Sequence, residues 1–529
     1  MTTSYSRLRP VSASQSAALT EDLGERDRIL RALRQQDGLD ALFELAHEPV
    51  GAALQQRPLT LTRDVEQLSD IPWGTPRYWP FVAAFVLLAG VTGSITSSKA
   101  GFLGWELTIA WSWPVINSVI GLCGIRMSRQ FLRAFWSSPP PERQHGLLIV
   151  TVVTIGRRDV LPALRRSLTS HAASFPAWFS QLRIDVVVDE GCEAAAEIHD
   201  LAAAYVGLVR VVTVPATYRT PNGTRFKARA EHYANELHQR AGEARRDVWV
   251  LHMDDDTGSS PDTARAIAAF IQRQQRPGRK ACHLAQGVLT YPRQLAPNWF
   301  TWLADSVRPS DDLSRFCAWT GSGTPRAGLH GELLLIRASI EAEIGWDFGP
   351  EAIVEDAWFA MTFAQHYPGR SAWLPGRCFG ASPATVRDFI KQRERWARGL
   401  LHLCFSPRFP ASSRLYLAYS LTTWIPGLMQ NIVTVLILQA LVLSIDGSPV
   451  AWPVIFVWSL NMAYYIWCYA EGHRVNAMVS ETRTHWWNYV LVLLLLPVFS
   501  VVEGLSALLA LFRFSSGRAP DFSVIAKPS

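Results

Sequence analysis

Cysteine is scarce in this chain and follows no pattern. The 529 residues hold seven, Cys123, Cys192, Cys282, Cys317, Cys378, Cys404 and Cys468, with no CxxC pair and no metal-ligand spacing. That excludes a zinc ribbon and predicts reduced structural thiols in a cytoplasmic setting. Charge is also in short supply. Only 18% of residues are Asp, Glu, Lys or Arg, and the net charge of +6 is not gathered into basic runs, so no nucleic-acid partner is expected. Residues 1–75 lack the apolar stretch of a signal peptide. They read as a polar cytoplasmic region with a short helical segment, in which Leu30, Leu33, Leu39, Leu42 and Leu45 fall at multiples of three.

What the chain has is apolar length. Hydrophobic residues make up 49% and include 21 Trp, and a chain this long exceeds what one core holds. Residues 76–127 contain two stretches, Trp79 to about Ser97 and Phe102 to about Ile125, each close to the roughly 20 residues that a bilayer crossing needs. Arg57, Arg63 and Arg77 precede the pair, and Arg126, Arg129, Arg133 and Arg143 follow it. This predicts an outward hairpin with cytoplasmic flanks. Residues 414–513 hold three more apolar segments, Leu415 to Ile445, Trp452 to Tyr469 and Trp486 to Phe512, interrupted by Pro426 and Pro497, so tilt or a kink is expected. The loop at 445–451 lacks Lys and Arg and reads as outside. The loop at 471–483 carries Arg474 and Arg483 and reads as inside. With a polar tail at 514–529, the layout predicts a multi-pass integral membrane protein among membrane lipids, in the plasma membrane if bacterial.

Between these regions, residues 146–400 change character. Leu147 to Thr154, Ile184 to Val188, Val209 to Val214 and Val248 to Met253 look like buried strands, and Val160 to Ser174 and Glu193 to Tyr205 like intervening helices. The alternation predicts an α/β, Rossmann-like, mostly parallel sheet combined with the helical membrane region. Ligands bind such sheets beyond the carboxyl ends of the strands, where Asp189 and Asp254 stand.

Short constellations carry the candidate chemistry. HMDDDTG, His252 to Gly258, directly follows the apolar run VWVL. Alternate carboxylates there, Asp254 and Asp256, can hold a hard cation while Asp255 between them faces a nucleotide. Such a cation would neutralise a departing diphosphate. An acidic turn without metal is the competing reading, and the strand context weighs against it. VEDAWFA, Val354 to Ala360, places Glu355 and Asp356 at a helix start. Asp356 there is either a base for an acceptor hydroxyl or a carboxylate favoured by the helix dipole. QRERW, Gln392 to Trp396, falls in an amphipathic helix. Gln392 and Arg395 share a face, Arg395 can bond diphosphate oxygens, and Trp396 offers a flat apolar face to a sugar. Arg393, Arg395 and Arg398 could equally anchor the helix to anionic headgroups. In FKARA, Phe226 to Ala230, Lys227 is either a diphosphate contact or a solvated helix start. Glu106 and Glu503, acids inside apolar stretches, form no path across a membrane and read as packing groups.

The ordered set VVVDEG, FKARA, DDD, VEDAWFA and QRERW resembles the membrane-embedded family 2 glycosyltransferases. Within that group, YRTPNGTRFKARA, QGVLTYP, ADSVRPSDDLSR, GLHGELLL and KQRERWARG resemble the Egghead-type β-1,4-mannosyltransferases over roughly residues 147–401. The resemblance implies a GT-A fold, a cytoplasmic catalytic domain, inversion at the anomeric carbon and a Mg²⁺ or Mn²⁺ cofactor. It also implies a nucleotide-sugar donor, GDP-mannose or UDP-glucose, and a lipid-linked or saccharide acceptor. By the same resemblance, Asp189 binds the nucleobase, and Asp254 and Asp256 hold metal and diphosphate. Asp255, Lys227, Gln392 and Arg395 line the donor, and Asp356 is the base. Trp396, His330, Gly331 and Glu355 border the acceptor. One departure is the run of three aspartates, where the Egghead-type pattern has Asp-Glu-Glu. Two rival readings remain: a processive β-glycan synthase, and a transporter or receptor with a cytoplasmic nucleotide-binding domain.

Overall fold

The computed structural model describes residues 74–98, 112–278, 280–424, 452–479 and 486–516. The expected N-terminal helical segment, Glu106, Pro426, the 445–451 loop and most of the tail lie outside these. Seven strands form one sheet: β1 Gln144–Val153, β2 Phe179–Asp189, β3 Val209–Val214, β4 Trp249–Asp254, β5 Leu284–Thr290, β6 Leu334–Arg337 and β7 Ser371–Phe379, in the order β3-β2-β1-β4-β6-β5-β7. All pairings are parallel except those of β6, which runs antiparallel to β4 and β5. The β-branched runs IVTVV of β1 and VVV of β2 suit strands buried on both faces. The first four strands match the sequence expectation within a few residues, and β5 to β7 add to it.

Helices α3 Leu161–Ser174, α4 Ala195–Ala203, α5 Phe226–Arg240 and α6 Pro261–Gln274 connect the parallel strands. Leu164, Leu168, Ile267, Phe270 and Ile271 pack with Leu148, Val150 and Val152 in the main core, while Ala230 and Ala234 of α5 pack with Val187, Val212 and Val214. Because β1, β2 and β4 share register, Val153 lies opposite both Val187 and Asp254. The loops carrying chemistry therefore leave one edge of the sheet together.

The helical remainder consists of α1 Trp79–Ser98 and α2 Val115–Ser137 before the sheet. Within the catalytic part lie α7 Trp299–Ala304, α8 Val307–Asp311, a π turn Asp312–Phe316, α9 Cys317–Gly321, α10 Ala338–Ile344 and α11 Glu355–His366. After it come α12 Val386–Phe405, α13 Ala411–Thr422, α14 Trp452–Val479 and α15 Trp486–Ser515. Among the described residues, α15 is the one helix long and apolar enough to cross a membrane. Two expected boundaries move. α2 continues past Ile125 to Ser137, so Arg126, Arg129 and Arg133 lie on a helix and not in a flanking loop. α14 runs through the expected 471–483 loop as far as Val479, because its polar end is buried against the α/β part. Arg474 pairs with Glu471 at 2.5 Å, and Asn476 Oδ1 accepts from the Tyr291 backbone N–H at 2.8 Å.

Candidate active site

Asp189, Lys227, Asp254, Asp255, Asp256, His330, Gly331, Glu355, Asp356, Gln392, Arg395 and Trp396 all line one cavity of about 520 Å³. The structure thus brings together every expected site residue, from the ends of β2 and β4, the starts of α5 and α11, the loop that holds His330 and Gly331 before β6, and α12. Asp254 closes β4 and Asp189 closes β2. Asp189 Oδ1 accepts from Arg229 at 2.7 Å, and the Asp189 side chain is 60% exposed, facing the mouth. Asp255 lines the cavity, and its Oδ2 also accepts from Thr154 Oγ1 at 2.7 Å, which ties the end of β1 to that of β4.

Lys227 is the electrostatic centre. Phe226 before it holds a left-handed backbone, φ 56°, which is strained for a bulky side chain and delivers Lys227 into the first turn of α5. Its Nζ lies 2.5 Å from Asp254 Oδ1, 3.3 Å from Glu355 Oε1 and 3.8 Å from Glu231 Oε1. Burial alone would push the ammonium down, but Asp254, Glu355 and Glu231 together hold it well above its usual value. It is a fixed cation paired to the acids, not a solvated helix start.

Gly331 shows how tightly this centre is built. A Cβ there would sit 2.5 Å from Lys227 Nζ, 3.6 Å from Asp254 Oδ1 and 3.9 Å from Glu355 Oε1. Gly331→Ala is therefore expected to move the ammonium off Asp254 and lower turnover about 10- to 100-fold. Steady-state kinetics of the variant checks this, and wild-type turnover would mean that the loop absorbs the methyl group.

The two acids of VEDAWFA open α11, as expected. Asp356 Oδ1 accepts from the Ala357 N–H at 2.7 Å. Burial raises the Asp356 carboxyl above its ordinary value, against the pull of Lys227. Burial likewise pushes Glu355 up to about 8, against Lys227. Helix α12 approaches this segment closely, because a Cβ on Gly399 would lie 2.6 Å from Val354 Cγ2.

The headgroup-anchor reading of α12 is corrected for two of its arginines. Arg393 and Arg398 are buried inside the protein, and Arg393 bonds Asp305 at 2.5 Å and Gln392 Oε1 at 3.1 Å. The Trp396 ring is covered by guanidinium groups, Arg393 at 4.4 Å and Arg308 at 4.5 Å from its centroid, a cation–π arrangement that fixes the indole.

His330 is held by Asp312 Oδ1 at 2.6 Å from Nε2, and by Arg308, which donates to Nδ1 at 3.2 Å. The donor on Nδ1 assigns the ring proton to Nε2. Asp312 stands at the start of the π turn and also accepts from the Leu289 N–H at 2.9 Å. Such bulges re-aim side chains at functional sites. Arg308, Asp312, Asp305 and the cavity-lining Glu332 were not singled out from sequence. The signal was present, since ADSVRPSDDLSR and GLHGELLL contain all four.

Among the described residues, no three His, Cys, Asp or Glu side chains cluster to enclose a cation. Mg²⁺ and Mn²⁺ bound beside phosphates keep waters and need only one or two carboxylates. Asp254 and Asp256, both facing the cavity, fit that shared mode.

Residues 249–512 match the model of glycosyl transferase family group 2. The β-1,4-mannosyltransferase egh of Drosophila melanogaster is 30% identical over 220 residues, covering 41% of this chain and 46% of its own length. The β-1,4-mannosyltransferases bre-3 of Caenorhabditis briggsae and Caenorhabditis elegans are each 27% identical over 326 residues, 60% of this chain and 67% of theirs. A solved mannosyltransferase of Pyrobaculum calidifontis, in complex with GDP-Man and Mn²⁺, is 15% identical with a TM-score of 0.40, covering 76% of this chain and 98% of its own. With the strand-end aspartates, the helix-start acids and the QRERW helix around one cavity, and a family match across that cavity into α15, the chain belongs to the family 2 glycosyltransferases.

Proposed function

We propose that the protein transfers mannose from GDP-mannose, with inversion, in β-linkage onto a lipid-linked or saccharide acceptor at the cytoplasmic face of a membrane. The observation that carries this is the shared cavity, in which Asp356 and the residues Gln392, Arg395 and Trp396 face the same space as Asp254 and Asp256. The relatives named as β-1,4-mannosyltransferases support the sugar and the linkage. Residues 76–127 and 414–513 form the membrane part in this reading, consistent with the length and apolarity of α15.

In the reaction, an acceptor hydroxyl oxygen forms a bond to the anomeric carbon as the bond from that carbon to the diphosphate oxygen breaks. Asp356 takes the hydroxyl proton. The leaving diphosphate carries its charge towards Arg395, which donates charge-assisted hydrogen bonds. A divalent cation at Asp254 and Asp256, when bound, supplies Lewis-acid stabilisation of that diphosphate. Lys227 holds Asp254 in place, and Asp189 bonds the nucleobase edge at the cavity mouth.

Because burial raises the Asp356 carboxyl, and the base must be ionised to act, turnover is expected to fall with acid through a midpoint above the ordinary aspartate range of about 4. Glu355 beside it shares the titration, so the limb reports the pair. A kcat–pH profile checks this, and a midpoint at 4 or below would remove Asp356 from the role. The reading as a whole is tested by incubating the detergent-purified protein with GDP-mannose and, separately, UDP-glucose, and measuring free nucleotide and labelled product. GDP release with label in a single-sugar product is expected. Release of UDP with label in an insoluble polymer would establish a processive synthase instead.

A further inference from the structure

Helix α15 carries one acidic side chain in thirty residues, Glu503. Leu494, Val498, Val501, Leu505, Leu508 and Phe512 around it are exposed and apolar, and a carboxylate in such a helix is costly unless it faces something polar. Glu503 faces the cavity, with 22% of its side chain exposed. Its Oε1 lies 3.7 Å from Arg393 Nε, beyond hydrogen-bond length. Arg393 itself is already bonded to Asp305 and Gln392 and lies over Trp396. The wall given by α12 and α15 therefore presents a carboxylate that keeps acceptor capacity towards the cavity. The hydroxyls of a sugar ring donate to such a carboxylate.

We propose that Glu503 is a specificity-determining residue for the acceptor, accepting hydrogen bonds from hydroxyls of the acceptor's terminal sugar. The proposal rests on the glycosyl-transfer reading above.

The test uses the full-length protein in detergent with GDP-mannose and three acceptors, octyl β-glucoside, octyl β-mannoside and farnesyl phosphate, in wild type, Glu503→Gln and Glu503→Leu. Thermal melts check that both variants fold. The expected result is transfer to an octyl glycoside. Its KM should rise at least tenfold in Glu503→Leu and less in Glu503→Gln, while the KM for GDP-mannose and the slow release of GDP without acceptor are unchanged. A role in packing alone would move the melting temperature and kcat without separating the two KM values, and would overturn the proposal. So would transfer to farnesyl phosphate with none to either glycoside, or no transfer to any acceptor despite GDP release. Failure to release GDP from GDP-mannose in wild type would instead overturn the mannosyl-transfer reading.

Discussion

Asp356→Asn is expected to abolish transfer, lowering kcat by about a thousandfold or more, while GDP-mannose still binds with close to wild-type affinity. General-base assistance is worth roughly 10²- to 10⁴-fold, and the upper part of that range applies where no second group can take the proton. Glu355 is the one acid adjacent to Asp356 in the helix start, and its Oε1 is drawn to Lys227 at 3.3 Å. The amide keeps the shape of the carboxylate and can still accept from the Ala357 N–H that Asp356 Oδ1 accepts from at 2.7 Å, so the start of α11 should not rearrange. Isothermal titration with GDP-mannose, beside single-turnover transfer, separates the two quantities. Retained turnover would mean that another group accepts the proton. Loss of donor affinity equal to the loss of kcat would mean that Asp356 holds the donor instead.

Lys227→Met should be the most damaging change outside the base, because one ammonium serves three carboxylates. Removing it takes the ammonium away from Asp254 and Glu355, while His252 Nδ1 still faces Glu231 Oε1 at 3.4 Å. Breaking a buried pair from one side costs about 3 to 5 kcal/mol. Burial pushes Glu355 up to about 8, so it is mostly protonated at neutral pH and Asp254 bears most of the loss. The sign of the pH dependence follows. A carboxyl whose folded value lies above its unfolded value near 4.5 binds more protons in the folded state, so the stability it lends falls as pH rises from there through the folded value. Melting temperatures of the variant should therefore drop more steeply between pH 6 and pH 8 than those of wild type. Turnover should fall at least a hundredfold, since Asp254 loses the contact that orients it. A melting curve parallel to wild type across that range would show that the three acids are not coupled through Lys227.

Much of the catalytic half was legible in the sequence, for a physical reason. Strands β1 to β3 carry β-branched runs and β4 begins with the apolar Trp249, Val250 and Leu251, and a strand buried on both faces needs such apolar composition. The remaining three strands were hidden by equally specific features. β6 is only four residues long. β5 contains Gln286 and Gly287, whose polar amide is buried and bonded to the Glu332 carbonyl at 2.9 Å. β7 contains Pro375 and Gly376, tolerated because β7 ends the sheet order, where a missing N–H is least costly. The site divides in the same way. Asp254, Asp356 and QRERW stand in short motifs whose chemistry is local. Arg308 and Asp312 gain meaning only from the distant His330 and Trp396, contacts that a linear pattern does not encode. The end of α14 was misread because hydropathy falls after Tyr469, whereas Glu471, His473 and Asn476 are buried in protein.

The packing of α15 sets a practical boundary. Val492, Leu496 and Phe499 belong to the same core as Leu148, Val150 and Trp302, Phe300 and Phe499 meet edge to face at 5.2 Å, and Arg513 pairs with Glu394 at 2.6 Å. Truncating the chain after Phe405 would strip the main core of part of its own wall. The excised enzyme half should then aggregate rather than stay soluble. In calorimetry the intact chain should melt as one cooperative unit, with the sheet and α15 lost together.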